Sequence, residues 1–97
     1  MILKEPCVYI LASRKNGTLY TGVTSNLPVR VWQHKENLRP GFTAKHNVHR
    51  LVWFETHESM DSAILREKQL KAGSRKNKLE LINQLNPKWA DLYFTLL

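Results

Sequence analysis

The sequence predicts a single α+β domain with elements in the order β-β-α-β-α-α, and three observations carry that prediction. Two short apolar runs, Cys7-Val8-Tyr9-Ile10-Leu11 and Leu19-Tyr20-Thr21-Gly22-Val23, flank Asn16-Gly17, and Asn-Gly between alternating hydrophobics is the strongest short-range hairpin signal. A third run, Leu51-Val52-Trp53-Phe54-Glu55, is nearly continuously apolar, as a well-covered strand is. Three further stretches carry apolar residues at helical spacing, each opened by a capping Ser or Asn and closed by Pro or Gly.

Ninety-seven residues suffice for one small core, so the chain is read as one domain over 1–97. No apolar run approaches the roughly 20 residues of a membrane span. The N-terminal Met1-Ile2-Leu3-Lys4-Glu5-Pro6 has no signal-peptide apolar region, which makes cytoplasmic the expected compartment. The single cysteine, Cys7, excludes an internal disulfide framework and a thiolate metal cage. Fifteen Lys plus Arg stand against eight Asp plus Glu, a net charge of +7. Such an excess on a small domain favours polyanions through phosphate neutralisation and counterion release. Solubility alone is the plainer explanation of the charge.

In chain order, the first strand is expected over 7–12 and the second over 18–24. A tight turn at Asn16-Gly17 pairs Leu11 with Gly22 and Ser13 with Tyr20, so Tyr9 and Tyr20 share a face. A loop of four residues would preserve that parity. Gly22 inside a strand marks close approach of another group, since glycine otherwise weakens a strand. Ser25-Asn26 supplies a helix cap and Pro28 suits the first turn. That helix is expected to run to about Leu38, with Leu27, Val31 and Leu38 as its apolar stripe. His34 falls within the stripe and Arg30, four residues earlier, borders it. The basic, histidine-rich stretch 41–50 reads as a phosphate-touching loop; its histidines match no metal-cage spacing.

Ser59 or Thr56 caps the next helix and Gly73 stops it. Met60, Ala63, Ile64 and Leu70 form its inner arc, and Glu67 sits in the middle of that arc. An unpaired buried carboxylate costs several kcal/mol or takes up a proton. Glu67 is therefore expected to face a cation, either a side chain such as Arg30 or a bound metal. Ser74 opens the last helix, with Leu79, Ile82 and Leu85 inward and a basic cluster at its start. Trp89, Leu92, Tyr93 and Leu96 recur at helical spacing and predict a short closing turn.

These residues resemble the GIY-YIG nuclease superfamily. Cys7-Val8-Tyr9 stands in the place of the first motif and Tyr20-Thr21-Gly22 in that of the second. Arg30-Val31-Trp32-Gln33-His34 is similar to the family's Arg followed four residues on by His or Tyr. Leu65-Arg66-Glu67-Lys68-Gln69-Leu70-Lys71 is similar to the segment bearing its metal-binding glutamate. The runs at 74–79 and 86–92 look like the small stand-alone bacterial members. The ordered set covers nearly the whole chain. Cys7 and Thr21 depart from the motif residues, and Val23 replaces the lysine of excinuclease-type relatives.

The resemblance implies a three-stranded antiparallel sheet flanked by helices and one divalent metal, Mg²⁺ or Mn²⁺, held by Glu67. It implies hydrolysis of phosphodiester bonds, with DNA favoured over RNA as partner and branched, nicked or single-stranded forms as substrates. Tyr20, helped by His34, would activate water, Arg30 would stabilise the phosphate, and Tyr9 would hydrogen-bond within the cluster. Arg30, His34 and Glu67 would then converge on the hairpin face that bears both tyrosines. Lys35, Arg39, Lys45, Arg50, Arg75 and Lys76 are the expected nucleic-acid contacts. A bare catalytic module of this kind leaves room for an accessory protein that supplies targeting. The competing reading is a non-catalytic nucleic-acid-binding module on the same scaffold.

Overall fold

The computed structural model describes residues 5–39 and 41–97; the N-terminal segment used to assign compartment and the Pro40 stop signal fall partly outside them. Strands β1 (Cys7–Ala12), β2 (Leu19–Thr24) and β3 (Arg50–Thr56) form one antiparallel sheet in the order β2-β1-β3. Around it lie helices α1 (Leu27–Lys35), α2 (Phe42–His46), α3 (Met60–Ala72) and α4 (Arg75–Leu85), and a closing 3₁₀ turn, Leu92–Leu96. The expected α+β sheet flanked by helices is the observed architecture. Among the described residues no helix is long and apolar enough to cross a membrane.

Every residue of β1 is buried because the central strand is covered on both faces. Val8, Ile10 and Ala12 meet Ala63 and Leu70 of α3, Ile82 of α4 and Trp89 on one face. Cys7, Tyr9 and Leu11 meet Leu27 and Val31 of α1 and Leu96 on the other. The period-2 alternation of a strand thus divides one apolar run between two cores. A bulge between Ile10 and Leu11 in the β1–β3 ladder leaves Val52 as the extra residue.

The hairpin register differs from the expected one. Leu11 pairs with Tyr20 and Tyr9 with Gly22. The Ser13 N–H donates to the Thr18 carbonyl at 3.0 Å, and Gly17 N–H to the Arg14 carbonyl at 2.9 Å. The loop therefore holds four residues, 14–17, rather than two. Only Asn16 takes a positive φ, 59°, whereas the tight Asn-Gly turn needs it at both positions. The shift is even, so Tyr9 and Tyr20 keep their common face.

Helix α1 is capped by Asn26, whose side chain accepts from Val29 N–H. It ends at Lys35, one turn early, where Asn37 adopts φ 55° and bonds back to the His34 carbonyl. That left-handed turn carries Leu38 into solvent, 57% exposed, so Leu38 is not part of the buried stripe. The stretch expected to be a loop contains α2, too short to show a period, with buried Thr43 as its inward residue. Ser59 and Ser74 cap α3 and α4 as expected. Met60 and Leu85 are exposed rather than inward, and Leu81 packs on the core instead.

Candidate active site

The hairpin and α1 place Tyr9, Tyr20 and His34 together. Tyr9 Oη lies 3.1 Å from His34 Nε2, and the Tyr9–Tyr20 and Tyr20–His34 ring centroids are 6.3 and 5.5 Å apart. His34 Nδ1 continues the chain to Thr43 Oγ1 at 2.9 Å. Three elements, β1, α1 and α2, are thus tied through one imidazole. His34 is only 2% exposed and Tyr9 is buried, while Tyr20 and Arg30 are half-buried at the mouth.

Gly22 is what lets Tyr9 occupy this position. A Cβ built on Gly22 would stand 2.4 Å from both Cζ and Oη of Tyr9, a separation no real pair of atoms tolerates. The tyrosine therefore lies across the bare backbone of the partner strand, which is the close approach a mid-strand glycine signals.

Burial sets the protonation states. It pushes the Tyr9 phenol up to about 12, reinforced by Tyr20 and only partly offset by the positive charges of Arg30 and Arg39. Burial also pulls the His34 imidazole down to about 4, and Arg39, Arg30 and His49 act in the same sense. At neutral pH both groups are uncharged. A neutral imidazole donates from one nitrogen and accepts at the other. Tyr9 O–H donating to Nε2 leaves Nδ1–H to donate to Thr43, and every polar atom in the chain is satisfied. Both ring nitrogens are engaged, so a proton reaches His34 only by way of a neighbouring hydroxyl. Its ordinary solution pKa of about 6.5 is not a guide here.

Glu67 has a side-chain cation beside it, as expected, but from its own helix and not from Arg30. Helix α3 packs Ala63 and Leu70 on the sheet face opposite α1, and Glu67 is partly buried on the same helix. It lies on the helix that meets β2, the edge strand that carries Tyr20. Its carboxylate is 15% exposed and pairs with Lys71, four residues on, at 3.2 Å; Lys71 is 52% exposed. The cation expected beside Glu67 is thus Lys71 of the same helix. An exposed lysine screens the carboxylate weakly and can swing away.

The described residues contain no cluster of three or more His, Cys, Asp or Glu able to cage a metal. That donor set is wrong for zinc or another ion needing an all-protein shell. It fits Mg²⁺ or Mn²⁺ bound through one carboxylate, with waters and substrate phosphate oxygens completing an oxygen octahedron.

The basic residues divide. Lys35 pairs with Asp91, Arg50 donates to the Trp89 carbonyl at 3.0 Å, and Arg75 donates to the Asn16 and Gly17 carbonyls at 3.0 and 2.7 Å. Lys45 and Lys76 are exposed, as is Arg39, whose charge is felt at the buried His34–Tyr9 pair. Neither Thr43 nor Phe42 stands out in the sequence as a site residue. Thr43 is the second partner of His34, and Phe42 stacks against Tyr20 at 6.3 Å and 26°. The one available signal was an apolar aromatic within an otherwise polar, basic stretch.

The chain has relatives among known proteins. Residues 5–80 match the GIY-YIG catalytic domain. A UPF0213 protein from Clostridium perfringens is 38% identical over 78% of this chain and 81% of its own length. One from Staphylococcus haemolyticus is 34% identical over 79% and 93%. The solution NMR structure of the UPF0213 protein from Bacillus halodurans superposes with a TM-score of 0.51 at 30% identity, covering 82% of this chain and 84% of that one.

Proposed function

The chain belongs to the GIY-YIG nuclease superfamily, and on that premise we propose that it is a metal-dependent endonuclease acting on DNA. The observation that carries the reading is the buried Tyr9–His34–Thr43 chain, with Tyr20 and Arg30 half-exposed above it. A fully satisfied buried network of this kind fixes side chains that solvent would otherwise leave free. What it fixes is the floor beneath the two groups that can meet a phosphate.

Arg30 donates charge-assisted hydrogen bonds to phosphate oxygens as negative charge builds on them. The Tyr20 hydroxyl holds the attacking water in line by a hydrogen bond. Tyr9 and His34, both uncharged and buried, position Tyr20 from below and do not touch the phosphate. Glu67 would hold Mg²⁺ or Mn²⁺ in place of its pairing with Lys71. When bound, the cation neutralises charge on the phosphate and assists as a Lewis acid.

The test is Mg²⁺-dependent cleavage over a panel of single-stranded, duplex, flap and junction DNA and RNA. Glu67→Ala is expected to abolish cleavage with binding largely intact, and Arg30→Ala to lower the rate by about 10²–10³-fold. Equal cutting by Glu67→Ala would overturn the site. A clean wild type that cuts none of the panel would favour the non-catalytic binding module.

A further inference from the structure

Phe42 stands immediately beside the candidate site and is not absorbed by the chemistry above. The residue is 47% exposed, and its ring is held from two sides. His46 packs against it at 4.5 Å, and Tyr20 lies near-parallel at 6.3 Å. Helix α2, which carries it, is anchored through buried Thr43 to His34. The ring is thus fixed in orientation while much of it faces solvent. The segment that carries it is cationic: residues 37–54 include Arg39, Lys45 and Arg50 with His46 and His49, and contain no Asp or Glu. An oriented aromatic face in an acid-free basic setting suits an aromatic group carried on a polyanion. It does not suit an apolar peptide, which would bury those charges.

We propose that Phe42 is a stacking platform for an unpaired nucleobase next to the scissile phosphate, and thus the residue by which the site tells a strand locally free of its complement from continuous duplex. This rests on the nuclease reading, because Tyr20 is what relates Phe42 to the phosphate. A base within a duplex is already stacked on both faces and has none to offer, whereas an unpaired base stacks on an aromatic ring whatever its identity. Phe42 therefore selects for strand state and not for sequence. Single-stranded tails and flaps meet that requirement; continuous duplex does not.

The experiment measures binding by fluorescence anisotropy in EDTA, where no cleavage occurs, using a labelled short mixed-sequence single-stranded DNA and the same sequence as duplex. Phe42→Ala is expected to weaken single-strand binding by about tenfold and to leave duplex binding within about twofold. Because stacking releases no counterions, the dependence of log K on log salt should keep its slope. Phe42→Trp should restore the affinity, while Phe42→Leu, which preserves apolar volume without a π face, should behave like alanine. The proposal is overturned if Phe42→Leu binds like wild type, if single-strand and duplex affinities fall equally, if the salt slope drops, or if the wild type does not prefer the single strand. Loss of this signature with cleavage intact sinks the platform alone. The signature without any cleavage sinks the nuclease reading alone.

Discussion

His34 does more for the fold uncharged than charged. Its apolar-stripe position was legible in the sequence from the spacing of Leu27 and Val31, and so was its proximity to the tyrosines. Its protonation state was not, because burial by α2 was invisible in a stretch that read as a loop. In the folded protein its pKa falls to about 4 from an ordinary 6.5. The unfolded chain therefore takes up a proton first as pH drops. Stability from this residue is fully present above about pH 6.5 and is lost progressively down to about pH 4, where the folded form also protonates. A shift of this size corresponds to about 3 kcal/mol, large against the 5–15 kcal/mol typical of a domain. Urea unfolding of wild type between pH 7.5 and 4.5 should show that loss, and His34→Gln, less stable at neutral pH, should show a much shallower pH dependence. Parallel curves for the two proteins would mean that acid acts elsewhere.

At the level of elements, the strands and capped helices followed from apolar period and cap residues, and the closing turn from the spacing of Trp89 to Leu96. What holds that turn in place did not, since it depends on partners far apart in sequence. Asp91 Oδ1 accepts both Leu51 N–H of β3 and Tyr93 N–H at 3.1 Å, and Oδ2 pairs with Lys35 of α1. One carboxylate thus joins a strand, a helix and the terminal turn, which sets Leu96 against Tyr9 and Leu11 in the core beneath the site. Asp91→Ala strands a strand N–H in a half-buried position and should cost about 1–3 kcal/mol. Lys35→Ala loses a partly exposed ion pair and the ammonium's place over the Tyr93 and Phe94 rings at 5.2 and 5.5 Å, each about 1 kcal/mol or less. Denaturant midpoints of the two variants would separate these contributions. Equal losses would show that Lys35, not the backbone bond, anchors the turn.

Over the whole molecule, the net charge of +7 favours polyanions but does not say which cations are available to meet them. Tertiary hydrogen bonds decide that, and sequence cannot show them. Arg75 sits in the first turn of α4, where a positive charge opposes the helix dipole and that turn has no acidic residue to offset it. Its reach to the Asn16 and Gly17 carbonyls explains the placement, because it clips the hairpin loop to the start of α4. Lys35 is likewise occupied by Asp91. Lys45 and Lys76 are exposed and have no such partner among the described residues. The two groups should differ in a salt titration of duplex binding. Lys45→Ala and Lys76→Ala should each lower the slope of log K against log salt by about 1, the release of roughly one counterion per phosphate contact. Lys35→Ala and Arg75→Ala should leave the slope unchanged while lowering the melting temperature. If Lys35 or Arg75 reduces the slope as much as Lys45 does, its internal contact opens to meet the phosphate, and the basic surface extends past the rim of the site to the hairpin loop or the closing turn.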